Sequence, residues 1–346
     1  MTDSSRHVTS LTEGQVQLRN DFGSITAVNA DRLEILDGLS LKRLLLQPGS
    51  IREPHWHANA TEMTYCVSGA VLVSILGSGN DLEGFLVKPG QMFFVPCGAL
   101  HHVENVGSQE AELILAFRHE RPSDFSLRSS MAVMSDAVLG NTYDLPASDF
   151  EGVPREVSGP RIVGRTGAAT IPEGAGLETP FRFDVEGESP PIDTAAGSAR
   201  LARSQFWPAL TDISMYSLRI TDVGMREPHW HPETAEMGFV KTGRGRMTVL
   251  DPDGQADTYE LGPGDVYFIP RAYPHHIENI GGDEMHFLIF FDQPMPKDIG
   301  FRASASAISR EVLASTLGIP VEQLPNLPFT PVDPLLVDRK NAIDET

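Results

Sequence analysis

Apolar residues fall along this chain in short runs, each broken after four to seven positions by Gly, Pro or Asn. Lys42–Leu46, Met63–Val67, Val71–Leu76, Met92–Val95 and Ala111–Phe117 are of this kind. So are Met215–Ile220, Met237–Val240, Arg246–Leu250, Val266–Ile269 and Met285–Phe291. Short runs rich in β-branched and aromatic residues, with turn residues between them, predict strands. Many such strands at regular spacing predict a sandwich or a barrel. A helical stretch follows each set, over Met131–Leu139 and Ala305–Leu317. No apolar run approaches the roughly 20 residues that span a bilayer.

The two sets are copies. His55-Trp56-His57 recurs as His229-Trp230-His231, an offset of 174 residues in a chain of 346. The same offset relates Arg52 to Arg226, Glu62 to Glu236, Gly69 to Gly243, Pro89-Gly90 to Pro263-Gly264 and His101-His102 to His275-His276. Ungapped comparison of 52–107 with 226–281 gives 19 identities in 56 positions. One offset held across so many rare residues marks an internal duplication. The modules are placed at 20–143 and 200–325. Between them, 144–199 is a Gly- and Pro-containing connection with strands of its own, and 326–346 is an extended tail.

Composition narrows the partners. The formal net charge is −20, from 27 Lys+Arg against 47 Asp+Glu, which argues against nucleic acid and anionic membrane surfaces. The two cysteines, Cys66 and Cys97, align with Val240 and Arg271 in the other copy. They form no disulfide framework and suit a reducing compartment. The polar N-terminal stretch lacks the apolar core of a secretory signal. The expected location is the cytoplasm.

The candidate chemistry lies in the histidines. Two histidines separated by one residue on a strand face the same side, so His55 and His57 can grip one ion together, with Trp56 opposite. Glu62 follows a short turn, and one of the adjacent pair His101 and His102 can add a third imidazole. His229, His231, Glu236 and one of His275 and His276 repeat the set. A single His-x-His motif is weak evidence, because a lone histidine is more often a satisfied core residue. Two complete sets at one offset are strong evidence for metal. Three neutral imidazoles and a carboxylate suit Mn²⁺ or Fe²⁺ with open positions for substrate or O₂, and the lack of thiolates argues against soft-metal chemistry. Arg52 and Arg226 stand three residues before the first ligand histidine, one strand step off the histidine face. They are placed to offer a guanidinium fork to a carboxylate.

The motif Gly49-x5-His55-x-His57-x4-Glu62-x6-Gly69, followed by Gly90-x5-Pro96-x-Gly98-x2-His101-x3-Asn105, resembles the paired motif of the cupins. The second copy departs at Gly224, one residue closer to its histidine, and at Ala272, where the motif has glycine. Two such modules, each with Arg-Glu-x-His-Trp-His, resemble the bicupins of the oxalate decarboxylase type. The resemblance implies an all-β fold of two tandem double-stranded β-helix (jelly-roll) barrels, each followed by short helices. It selects His101 and His275 as ligands, implies one Mn²⁺ per cupin, and implies a homo-oligomer. It also implies that the arginines orient oxalate and that O₂ assists a one-electron oxidation. Loss of CO₂ then leaves a formyl radical anion that needs a proton to become formate.

That proton donor is where the chain departs from its relatives. The family's lid sequence is Ser-Glu-Asn-Ser, and here the equivalent is Ser123-Asp124-Phe125-Ser126. A second family carboxylate falls on Ile289. Asp124, with Asp298 as its counterpart, is the candidate acid, and a helix-capping aspartate is its rival. Without an acid, the same site would favour oxalate oxidation with peroxide release, or dioxygenase action on another carboxylate. A bicupin binding or storage protein is the non-enzymatic alternative. If one copy alone is catalytic, the N-terminal one is expected. The resemblance gives Trp56 and Trp230 an electron-relay role between subunits, and packing is the simpler role for them.

Overall fold

The computed structural model describes residues 5–79, 81–159, 161–328, 330 and 332–343. Of the tail expected after Pro325, residues 329, 331 and 344–346 lie outside the described ones. The chain is all-β with short helices, as expected, and forms two compact units. One holds residues 11–187 with 207–212, and the other holds the residues up to Ser10 with 188–206 and 213–346.

In the first unit a seven-stranded sheet runs in the order Arg182–Phe183, Met92–Val95, Glu62–Ser68, Ala111–Phe117, Ser40–Leu46, Gly23–Val28, Gln15–Asn20. A second sheet orders Asp124–Ser126, Ser50–His57, Leu100–Asn105, Val71–Leu76 and Leu82–Val87, with Ile162–Gly164 on the far end of Ser50–His57. Inward side chains of both sheets, among them Leu44, Cys66, Phe93, Leu113, Val73, Phe85 and Val103, form one buried cluster. The sheets are not closed into a hydrogen-bonded barrel. The second unit repeats this plan around Leu218, Val240, Met247, Tyr267, Ile277 and Phe287.

Strand Val8–Ser10 pairs with Asp265–Ile269 in the second unit, whereas Arg182–Phe183 pairs with Met92–Val95 in the first. These two strands are themselves related by the offset of 174. Each copy's leading strand therefore serves the other copy's sheet. His7 anchors the first of them, with Nδ1 at 2.8 Å from the Phe268 carbonyl and Nε2 at 3.0 Å from Asp251. Of the residues expected in the tail, Leu336–Asp338 adds a strand to Gly224–Trp230.

The helical stretch after each module is two helices rather than one. Leu127–Ala132 and Asp136–Tyr143 replace Met131–Leu139, and Phe301–Ala307 and Arg310–Leu317 replace Ala305–Leu317. The break is built by a repeated serine. Ser135 and Ser309 cap the second helix of each pair, accepting from Val138 and Val312 amides, and an N-cap takes extended backbone that ends the preceding helix.

The repeated asparagines close the ends of the histidine-bearing strands. Asn105 donates to the Leu46 and Gln109 carbonyls and accepts from the Gly107 amide, and Asn279 makes the same set with Ile220, Asp283 and Gly281. A second turn holds the second histidine of each His-Trp-His motif by its backbone. The Gly98 amide donates to the His57 carbonyl and the Ala272 amide to the His231 carbonyl. The first does so at φ +80° and the second at φ +65°, in the left-handed region that costs an alanine about 1–2 kcal/mol. Part of that cost is returned by alanine's smaller unfolded-state freedom. Ala272→Gly is therefore expected to stabilise the second unit by about 0.5–1 kcal/mol, and a urea unfolding curve showing equal or lower stability would contradict the strain.

Candidate metal centres

The strand Ser50–His57 places His55 and His57 on its inner face, Glu62 opens the facing strand, and His101 lies directly opposite His55 in register. Their four ligand atoms lie within 4.8 Å of one another, and all four side chains are buried. His57 Nε2 is 2.7 Å from Glu62 Oε2, and His101 Nε2 is 3.5 Å from it. His229, His231, Glu236 and His275 form the second set with the same 4.8 Å limit, and His231 Nε2 is 2.8 Å from Glu236 Oε2. His102, the neighbour that alternation sends to the other face, pairs instead with Glu104 at 2.9 Å.

The tautomers follow from the outer partners. His55 Nδ1 lies 2.8 Å from the Glu53 carbonyl and His101 Nδ1 lies 3.0 Å from the Ala99 carbonyl. A carbonyl only accepts, so each Nδ1 carries the proton and each Nε2 lone pair points inward. His229 and His275 do the same against Glu227 and Tyr273. The inward Nε2 of His101 and of His275 has no hydrogen-bond partner, and His229 and His231 turn their Nε2 atoms toward each other at 3.2 Å. Buried lone pairs without a donor carry a desolvation cost that a shared cation removes.

The electrostatics agree. Burial, reinforced by the adjacent arginine, holds the His55 and His229 imidazoles well below their usual pKa, which keeps them neutral as ligands. Burial pushes Glu62 up, but the adjacent His101 and His57 outweigh that and hold it well below the usual carboxylate range. At His231 burial is likewise overcome, by Asp298 and Glu236, and its pKa rises to about 9. A site that draws positive charge this strongly between imidazole and carboxylate suits a divalent cation.

Arg52 joins the site through an irregularity in its strand. Val103 pairs with Arg52 and His101 with His55, so two residues, Glu53 and Pro54, stand opposite the single His102. This bulge at Glu53-Pro54 cancels the odd spacing and returns Arg52 to the histidine side. Arg226 is returned in the same way across Ile277 and His275. Both guanidiniums are buried at 5% exposure.

Asp124 lies in the short strand Asp124–Ser126, opposite His57. The cap of the following helix is Ser126, which accepts from the Ser129 amide, so the capping role does not fall to Asp124. Its Oδ1 accepts from His57 Nδ1 at 2.8 Å, and its Oδ2 accepts from Lys42 at 3.1 Å and Arg52 at 3.3 Å. Burial raises its pKa, but His57, Lys42 and Arg52 prevail and hold it below the ordinary aspartate range. Asp298 meets His231 Nδ1 at 2.9 Å and pairs with Arg226. Burial is overcome there too, chiefly by Arg226 and His231, and its pKa falls to about 2. Trp56 stacks on Phe125 at 5.6 Å between centroids, and Trp230 meets Phe301 at 6.3 Å.

Three residues that motif reading passed over support these sites. Thr64 donates to Glu62 Oε1 at 2.7 Å from the same strand. Its counterpart is Gly238, where a Cβ would come within 2.1 Å of the Tyr267 ring. Tyr267 stands where the first copy has Phe93, and its hydroxyl donates to Glu236 Oε1 at 2.7 Å. Lys42 is the third. Its signal was a charge at an inward position of an apolar strand.

Thr64→Ala and Tyr267→Phe each remove the donor to one ligand carboxylate. Each is expected to weaken metal binding at its own site about tenfold to a hundredfold and to spare the other. Elemental analysis across a chelator titration would show one metal equivalent lost early. Loss of both together, or of neither, would contradict the pairing.

Residues 9–149 and 184–324 each match the family described as cupin. The oxalate decarboxylase OxdC of Bacillus subtilis (strain 168) is 29% identical over 284 residues, covering 80% of this chain and 73% of that protein. A probable oxalate decarboxylase of Arthroderma benhamiae is 25% identical over 292 residues, with 79% and 69% covered. An oxalate oxidase of Triticum aestivum is 39% identical over 88 residues, or 25% of this chain and 39% of that one. The solved structure of the Bacillus subtilis enzyme at pH 4.6 superposes with a TM-score of 0.85 at 23% identity, covering 98% of this chain and 89% of that one. Another solved structure of that enzyme, at 25% identity and the same TM-score, comes from work on its Mn(II) centres. With both halves matching and both ligand sets assembled, the chain belongs to the cupin family, as a bicupin similar in sequence and fold to the oxalate decarboxylases.

Proposed function

We propose that the chain is a manganese-dependent enzyme that cleaves oxalate, or a close small carboxylate, to formate and CO₂ with the assistance of O₂. The observation that carries this reading is the pair of buried three-histidine, one-glutamate sets, each with an arginine returned to its face. Mn²⁺, or Fe²⁺ as the alternative, held by His55, His57, Glu62 and His101 and by His229, His231, Glu236 and His275, would supply open coordination positions and one-electron chemistry.

The chain's own groups bind and orient. Arg52 and Arg226 present a buried guanidinium for a substrate carboxylate, in an apolar surrounding where a charged hydrogen bond is strong. Asp124 and Asp298 fix the ring orientation of His57 and His231 through Nδ1. Cleavage of oxalate dianion to formate and CO₂ consumes one proton, delivered to carbon. Asp124 and Asp298 are held ionised by their cationic partners, so either can deliver that proton only after first taking one up.

That ionised state favours a second reading. Where no proton reaches carbon, oxalate dianion gives its two electrons to O₂, which takes up two protons from solvent, and two CO₂ and one hydrogen peroxide result. That Cys66 and Cys97 form no disulfide supports action in the cytoplasm. The half-exposed Trp56 and Trp230 beside exposed Phe125 and Phe301 support a homo-oligomer. Among the described residues no helix is long and apolar enough to cross a membrane.

Metal-loaded protein incubated with oxalate and assayed for formate, CO₂ and peroxide separates the readings. Formate is expected, peroxide would shift the assignment to an oxidase, and neither product would discard oxalate. His57→Ala or Glu62→Ala is expected to remove one metal equivalent of two, and unchanged content by elemental analysis would sink the site assignment.

A further inference from the structure

Lys42 is an anomaly in the N-terminal unit. Strand Ser40–Leu46 sends 42, 44 and 46 inward, and Leu44 and Leu46 are core residues. A lysine in that phase loses most of its hydration, so its charge must be compensated where it lies. The Lys42 side chain is 9% exposed, its ammonium sits 4.7 Å over the Phe117 ring, and it lines the metal-site cavity with Arg52 and Asp124.

Both cations converge on a single oxygen. Asp124 Oδ2 accepts from Lys42 at 3.1 Å and from Arg52 at 3.3 Å, while Oδ1 is committed to His57. A carboxylate held between an ammonium and a guanidinium, above apolar Leu115 and Phe117, shows what this corner of the cavity binds. The formal charges lining the cavity are Lys42 and Arg52 against Glu62 and Asp124, which cancel. A divalent metal ion would leave the site two positive charges in excess, and a dianion balances them. Removing the lysine would leave one.

The C-terminal unit lacks this arrangement. The residue equivalent to Lys42 is Tyr216, which packs against Phe291 at 4.8 Å as Lys42 packs against Phe117. Asp298 is held there by Arg226 and His231 without a lysine.

We propose that Lys42 and Arg52 form a carboxylate subsite that makes the N-terminal site selective for dianions, and that the C-terminal site does not share it. Asp124 Oδ2 holds the place of the incoming carboxylate. The substrate accepts the Lys42 and Arg52 hydrogen bonds in its stead, while Oδ1 stays on His57. The inference rests on the reading that a small carboxylate binds beside the metal.

The test is calorimetric titration of full-length, metal-loaded protein with oxalate, malonate and acetate, with metal content measured on every sample. Lys42→Met is expected to weaken oxalate and malonate binding roughly tenfold to a hundredfold at one site. Acetate should change far less, and metal should stay at two equivalents. Lys42→Arg should retain most of the dianion preference, and Tyr216→Phe should leave it unchanged. An unchanged ratio of dianion to acetate affinity in metal-replete Lys42→Met would overturn the proposal. If that variant does not fold, Lys42→Gln is read against Lys42→Arg by the same ratio. Wild-type protein that yields neither formate nor peroxide from oxalate, yet prefers malonate to acetate only with Lys42 present, would sink the oxalate reading and leave the subsite standing. No binding of any of the three anions would overturn both.

Discussion

The structure depends on the approach of a buried imidazole to a buried carboxylate, 2.7 Å between His57 and Glu62 and 2.8 Å between His231 and Glu236. In a dry interior these groups cannot be left to water, so every remaining polar atom near them must be assigned. The main chain does most of this. Carbonyls of Glu53, Ala99, Glu227 and Tyr273 take the Nδ1 protons, and amides of Gly98 and Ala272 hold the carbonyls of His57 and His231. The jelly-roll sheets supply a frame on which three strands and a bulge bring five side chains to one point.

The two copies reach that point with different residues, which separates what the geometry requires from what it tolerates. The second oxygen of the ligand glutamate always receives a hydroxyl, yet from Thr64 on the same strand in one copy and from Tyr267 on the adjacent strand in the other. The exchange is steric as well as chemical, because the tyrosine ring occupies the space over Gly238. Lys42 and Tyr216 differ in a way that this compensation does not cover. Each packs on the equivalent phenylalanine of its own copy, Phe117 or Phe291, but one carries a charge into the cavity wall and the other a neutral hydroxyl.

Much of this was legible in the sequence, for identifiable reasons. Period-two alternation marks His55 with His57 and separates His101 from His102, because a strand has only two faces. The offset of 174 marks the duplication because rare residues cannot realign by accident. Arg52 was harder, since the bulge that returns it to the histidine face adds a residue that alternation does not count. The strand Gln15–Asn20 lies mostly exposed, so it has no apolar phase to betray it. The pairing of Val8–Ser10 with Asp265–Ile269 joins residues more than 250 apart, and local pattern carries no information about such partners. The continuous helices expected after each module gave way to pairs because Ser135 and Ser309, read as ordinary helix residues, act as caps.

The net charge of −20 and the proposed anionic substrate stand in tension, which the interior resolves. Exposed charges are screened over about 8–10 Å at physiological ionic strength, so the acidic exterior weakly opposes approach and contributes little at the metal. Affinity for an anion must then come from cations that water does not screen. Arg52 at 5% exposure and Lys42 at 7% are such cations, and they are already engaged by Asp124. An entering carboxylate exchanges one ion pair for another and does not bury a new charge alone, which removes most of the desolvation penalty that a dry site would otherwise impose. Asp124, the candidate acid of the sequence, is in the resting site also the anion that engages both cations.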